Sequence, residues 1–174
     1  WGLTEVADKA ERYSRFKASF QEVIAYAEQK QVKLALELIN RYETYFLNTV
    51  EQGLRIIADL DSEQVGLHLD TYHANIEESS IPAAVRQAGD KLFHFHAASN
   101  HRSVPGWGHL PWKEIKQALE QINYQSWVTV ESFVEPDSEV GRDNFVWREI
   151  AASPEELARE AVVYLNNLFA EGRE

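Results

Sequence analysis

Four side chains in this 174-residue sequence have the types and spacing to do chemistry together: Glu37, Asp70, His96 and Glu131. Each lies near the end of a short apolar run: KLALELI (33–39), VGLHLDT (65–71), LFHFHAA (92–98) and WVTVESF (127–133). Successive side chains of a strand point to opposite faces. Lys33, Ala35 and Glu37 therefore share a face, as do Gly66, His68 and Asp70, then His94, His96 and Ala98, then Thr129 and Glu131. The other parity is apolar throughout: Leu34, Leu36, Leu38, Leu67, Leu69, Phe93, Phe95, Val128 and Val130. Three carboxylates and an imidazole converging on one pocket cannot stay charged and unpaired. A divalent cation resolves that repulsion. An oxygen-rich set with one nitrogen suits Mn²⁺ first, with Mg²⁺ or Co²⁺ as alternatives. Any one of these residues alone would be unremarkable. Four on successive strands, at one depth and one parity, are not.

The elements that must position them alternate. Residues 3–30 read as a helix with Thr4 as N-cap and a stripe of Ala10, Tyr13, Phe16, Phe20, Val23, Ile24 and Ala27. Further helices are expected over 50–60, 81–88 and 112–122, the last with Pro111 at its first turn. The final helix, 154–170, has Ser153 as N-cap, Pro154 at its first position and Glu156 in the capping-box place. This α(βα)₄ order implies a parallel sheet with crossover helices. It fits an open flavodoxin-like sheet or half of an eight-stranded barrel, since a whole barrel takes about 250 residues. A doubly wound sheet would be apolar on both faces. One polar stripe per strand favours the barrel, with chemistry at the C-terminal mouth. The expected class is α/β, half of a (β/α)₈ barrel, with residues 1–174 as one domain.

Composition narrows the function. No apolar run approaches the ~20 residues of a membrane helix. No basic-apolar-small leader stands at the start, and there is no cysteine, so a cytoplasmic enzyme is expected. A net charge of −11 disfavours nucleic acid as a partner. The sequence starts at Trp1 and contains no Met, and so reads as a processed, excised or engineered piece of something longer.

The segments LALELINRYETYFLNT, GLHLDTYHANIEE, HFHAASNHRSVPGWGHLPW and VTVESF resemble the xylose isomerase-like sugar isomerase/epimerase family, on its D-tagatose/D-psicose 3-epimerase side. The resemblance covers nearly the whole chain and matches its strands to strands five to eight of that barrel, the C-terminal half. It implies that Glu37, Asp70, His96 and Glu131 are metal ligands, and that Glu37 and Glu131 are also the catalytic acid/base pair. It also implies that Glu43, His73 and Arg102 contact the sugar. The implied reaction is epimerisation next to a ketone, through a metal-stabilised enediolate. Aldose–ketose isomerisation uses the same chemistry. Two readings compete: an inactive half barrel that binds metal without catalysis, and an endonuclease IV-like metal phosphodiesterase, which would want several zinc ions and a basic groove.

Of the remaining residues, His73 is expected in the loop after its strand. His68 and His94 should lie one layer below Asp70 and His96, while His101 and His109 belong to the surface. Trp107 could cover the pocket or plug a gap, and Trp112 and Trp127 are expected in the core. Open edges at 33–39 and 127–133 predict a homodimer or a complementary N-terminal half as partner.

Overall fold

The computed structural model describes residues 9–170. Helix α1 (Lys9–Lys30) leads into strand β1 (Leu34–Glu37). Then follow α2 (Val50–Leu60), β2 (Val65–Asp70), α3 (Thr71–Glu77) and α4 (Ile81–Ala88). A 3₁₀ turn, β3 (Leu92–Ala97), α5 (Trp112–Gln121), β4 (Val128–Val130), α6 (Glu139–Asp143) and α7 (Pro154–Ala170) complete the chain. The four strands are parallel and ordered β1-β2-β3-β4. The parallel α/β sheet is as the alternating pattern implied, and its sequential strand order is that of the half barrel favoured by the polar stripe. No helix among the described residues is long and apolar enough to cross a membrane.

The core lies on the helix side of the sheet. Val65, Leu67 and Leu69 from β2 and Phe95 from β3 are fully enclosed, packed with Val50 and Ile57 of α2, Val85 of α4 and Ile115 of α5. Gly53 lets α2 settle on β2: a Cβ there would come within 2.5 Å of the Leu67 side chain. A capping box between Thr49 and Gln52 starts α2, and Asp61 ends it in the left-handed region at φ 50°.

Several expectations need correction. The first and last strands are shorter than the apolar runs that suggested them. Trp127, expected in the core, is 82% exposed just before β4; among the described residues that strand has only one neighbour and cannot enclose a ring at its entrance. Val23 of the α1 stripe is exposed, while Ile24 and Ala27 carry the burial. Thr4 lies outside the described residues. Phe93 was assigned to the outer face with Phe95, but a register shift pairs Leu67 with Leu92 and then His68 with His94. This bulge leaves Phe93 as the extra residue. Its ring turns inward onto Gly66, where any Cβ would overlap it, and under the Lys33 ammonium. Helices α3 and α6 were not anticipated.

Candidate active site

The strand ends converge as their parity required. Glu37 closes β1, Asp70 closes β2, His96 is the penultimate residue of β3, and Glu131 follows β4 directly. Register sets Glu37 beside His68 and Asp70 beside His96. Ligand atoms of Glu37, Asp70, His96 and Glu131 all lie within 4.8 Å of one another. Asp70 is fully buried. It caps α3, its Oδ1 accepting from the Tyr72 backbone N–H at 2.6 Å. The abrupt β2-to-α3 turn thus fixes one carboxylate oxygen and leaves the other for the site. Beside it the Thr71 hydroxyl donates to the Ala98 carbonyl and accepts from the Ala98 amide, tying the mouths of β2 and β3 together.

Arg102, which the resemblance places at the sugar, grips two members of the carboxylate cluster. Its guanidinium donates to Asp70 Oδ2 at 3.0 Å and to Glu131 Oε2 at 2.6 Å. It is held over the Tyr72 ring, 4.5 Å from its centroid, with Phe133 on another side. Its own φ is +66°, unusual for a residue with a Cβ. The tight loop carries it there, with the Arg102 N–H donating to Ser99 O and the Ser132 hydroxyl donating to Arg102 O.

His73 lies in the first turn of α3 and is buried, rather than standing in a loop. Its Nδ1 receives both the Asn40 backbone N–H, at 3.3 Å, and the Asn40 side-chain amide, at 2.8 Å. The orientation of that amide is fixed because its oxygen accepts from Tyr42 N–H. A nitrogen facing two donors must be the acceptor, so the ring proton sits on Nε2, which faces Glu37 Oε1 at 3.9 Å. The other Asn40 hydrogen goes to Glu43 Oε1 at 2.7 Å. Asn40 therefore positions two residues expected to contact the sugar. Sequence reasoning passed over it; the only cue was a polar residue directly after an apolar strand.

The charges are unevenly matched. Asp70 and Glu131 lie within ion-pairing distance of Arg102 and His96, while the groups at that distance from Glu37 are the imidazoles of His68 and His73. Burial, together with the charges of Glu131 and Asp70, raises Glu37 to about 7. The hydrogen bond from His96 and the charge of Arg102 outweigh burial and hold Glu131 down at about 2. For His96 burial opposes the charge, but Asp70 and Glu131 win and raise it to about 9. Burial lowers His73 and takes His68 down to about 3. Three acidic groups thus share two cations, and Glu37 is the one without a counter-charge. A divalent ion fits this donor set, because it would displace the protons that Glu37 and His96 retain.

A cavity of about 290 Å³ opens beside the cluster, lined by Glu43, Tyr72, Arg102, Phe133 and Trp147 among others. Arg102 belongs to both the cavity and the carboxylate cluster. Trp107 does not line it. His94 faces His68 and His96 from the inner layer, and His109 lies at the surface against Asn75, both as expected.

Fold and site together define a (β/α) barrel wall with a carboxylate–imidazole centre at its C-terminal mouth. The chain belongs to the xylose isomerase-like TIM barrel family, whose profile matches residues 2–168. It is 42% identical over 156 residues to a D-psicose 3-epimerase of Enterocloster bolteae, covering 88% of this chain and 52% of that protein. It is 41% identical over 165 residues to the D-psicose 3-epimerase of Ruminiclostridium cellulolyticum, covering 94% and 56%. A crystal structure of a D-psicose 3-epimerase in the presence of D-fructose superposes with a TM-score of 0.89 at 34% identity, covering 97% of this chain and 60% of that one. The chain spans a little over half the length of these curated relatives.

Proposed function

We propose that this chain forms the metal-binding half, strands five to eight, of a divalent-metal-dependent ketose 3-epimerase. Glu37, Asp70, His96 and Glu131 would hold the ion, with Mn²⁺ preferred over Mg²⁺ and Co²⁺. When bound, that ion supplies the positive charge that offsets an enediolate forming on the sugar.

The observation that carries the reading is the pair Glu37 and Glu131. They stand on the two outer strands, flanking Asp70 and His96 on the inner two. Inverting a carbon centre takes one group to remove a proton from one face and another to return a proton to the opposite face. Their surroundings differ, since Arg102 and His96 contact Glu131 while His68 and His73 contact Glu37. Which group removes the proton depends on the configuration of the sugar. The Nε2–H of His73 and the guanidinium of Arg102 supply donors for sugar oxygens, and Glu43, next to the cavity, supplies an acceptor. The aromatic faces of Tyr72 and Phe133 hold Arg102 in place and exclude water.

The rest of the pocket wall would come from a second copy of the chain or from a complementary N-terminal half, meeting β1 and β4, each of which has a single neighbour in the sheet among the described residues. The function is tested by incubating D-psicose, D-tagatose or D-fructose in D₂O with Mn²⁺ and reading deuterium at carbon 3 by NMR. Wild-type protein with a completed pocket incorporates deuterium and Glu131→Gln does not. Equal incorporation by both would remove Glu131 from the chemistry.

A further inference from the structure

Beneath the carboxylate centre lie three histidine rings of which the proposed reaction uses only one. The bulge in β3 brings His94 beside His68, and one step further His96 beside Asp70. The ring centroids are 4.0 Å apart for His68 and His96, and 4.9 Å for each of the pairs with His94, all steeply tilted. Each ring offers one nitrogen to a group whose members all lie within 4.8 Å of one another.

Packing alone accounts for such rings when their nitrogens are satisfied, but here one buried nitrogen is not. His68 is 8% exposed, its Nδ1 is turned to Glu37 at 4.0 Å, and its Nε2 is buried with no hydrogen-bond partner among the described residues. An orphaned buried polar group costs about 1–3 kcal/mol, so this nitrogen calls for an explanation. His96 points Nδ1 at Glu131 and Asp70, and the same ring belongs to the histidine group.

We propose that His68, His94 and His96 form a second metal site, selective for a borderline ion of the Zn²⁺, Ni²⁺ or Cu²⁺ kind. An all-imidazole set selects such ions, whereas Mn²⁺ and Mg²⁺ go to the oxygen-rich set above. Three imidazoles with an open fourth position are a known zinc geometry. Zn–N bonds of about 2.0–2.1 Å require the ligand nitrogens to close to about 3.4 Å of one another, a contraction within reach of small χ rotations. Because His96 belongs to both groups, an ion in the histidine layer draws that imidazole away from the carboxylate centre. Zn²⁺ bound there acts as an antagonist of Mn²⁺ above.

The test is calorimetric titration of the purified chain with Zn²⁺ and, separately, Mn²⁺. In D70N/E131Q the upper centre is dismantled and the three histidines are untouched. Mn²⁺ binding is then lost, while one equivalent of Zn²⁺ still binds. Adding His94→Gln weakens Zn²⁺ by more than the ~100-fold that loss of an outer-shell partner costs. A folded D70N/E131Q protein that binds no Zn²⁺, or one whose Zn²⁺ affinity is indifferent to His94→Gln, overturns the proposal. Should D70N/E131Q fail to fold, one equivalent of Cu²⁺ on the wild type decides by electron paramagnetic resonance. Coupling to three nitrogens that falls to two in His94→Gln supports the site, and identical spectra refute it. Failure of the epimerase reading would show instead as absent Mn²⁺ binding in the wild type, with the Zn²⁺ result intact.

Discussion

Replacing Glu37 by Gln should stabilise the metal-free chain while destroying its Mn²⁺ affinity. The folded-state pKa of Glu37 is raised from 4.5 to about 7 by burial and by the neighbouring carboxylates. An acid with a raised pKa keeps its proton better in the folded state than in the unfolded one. Glu37 thus costs nothing below pH 4.5, costs progressively more from pH 4.5 to 7, and imposes its full cost above pH 7. Taken whole, the shift is worth about 3 kcal/mol at roughly 1.36 kcal/mol per unit. The side chain is 31% exposed, and solvent screening reduces the figure to about 1–2 kcal/mol. At roughly 2–4 °C per kcal/mol for a chain of this size, Glu37→Gln raises the Tm of the EDTA-treated protein by several degrees at pH 8 and hardly at all at pH 5. Thermal unfolding followed by circular dichroism at the two pH values measures this. An equal gain at both, or none at pH 8, would refute the reasoning, because only an uncompensated charge gives a pH-dependent difference.

Other consequences are open to direct measurement. The imidazole of His73 should carry its proton on Nε2, and Asn40→Ala should release that tautomer and cost about 1–3 kcal/mol of stability. Ring ¹⁵N NMR showing Nδ1–H in the wild type would contradict the Asn40 assignment. Sedimentation velocity at micromolar concentration should find the isolated chain as a dimer, because among the described residues β1 and β4 each leave one edge unpaired. A monomer whose edge-strand amides exchange slowly would exclude that mode of closure.

Much of the site was legible in the sequence because a strand has a period of two. Once Glu37 and Asp70 were placed at strand ends, parity alone set them on the face with His68 and apart from Leu67 and Leu69. The same rule failed at Phe93, where the bulge adds a residue and inverts the parity; no turn residue marks it, and the cue lay across the sheet, in Gly66. Helix α3 was missed because its N-cap, Asp70, had already been read as a strand residue with a chemical role, and it serves both. The convergence of Arg102 on Asp70 and Glu131 depends on a left-handed residue in a loop, which no periodicity encodes. Asn40 escaped notice because its decisive partnership, with His73, spans 33 residues of sequence, while those with Tyr42 and Glu43 are local and mark no site by themselves. Trp127 shows the converse error: a large aromatic at an element start reads as core, but an edge strand offers it nothing to pack against.

The central claim, that four strand-end side chains form one divalent metal centre, is tested most directly by titrating Mn²⁺ into wild-type protein and Asp70→Asn. Asparagine retains the capacity to cap α3 while removing the buried negative charge, so the comparison isolates ligation from folding. One Mn²⁺ per site is expected for the wild type, with proton release on binding as Glu37 and His96 give up their protons. For Asp70→Asn, affinity should fall by about 100-fold or more. Equal Mn²⁺ affinity in the two proteins would contradict the account.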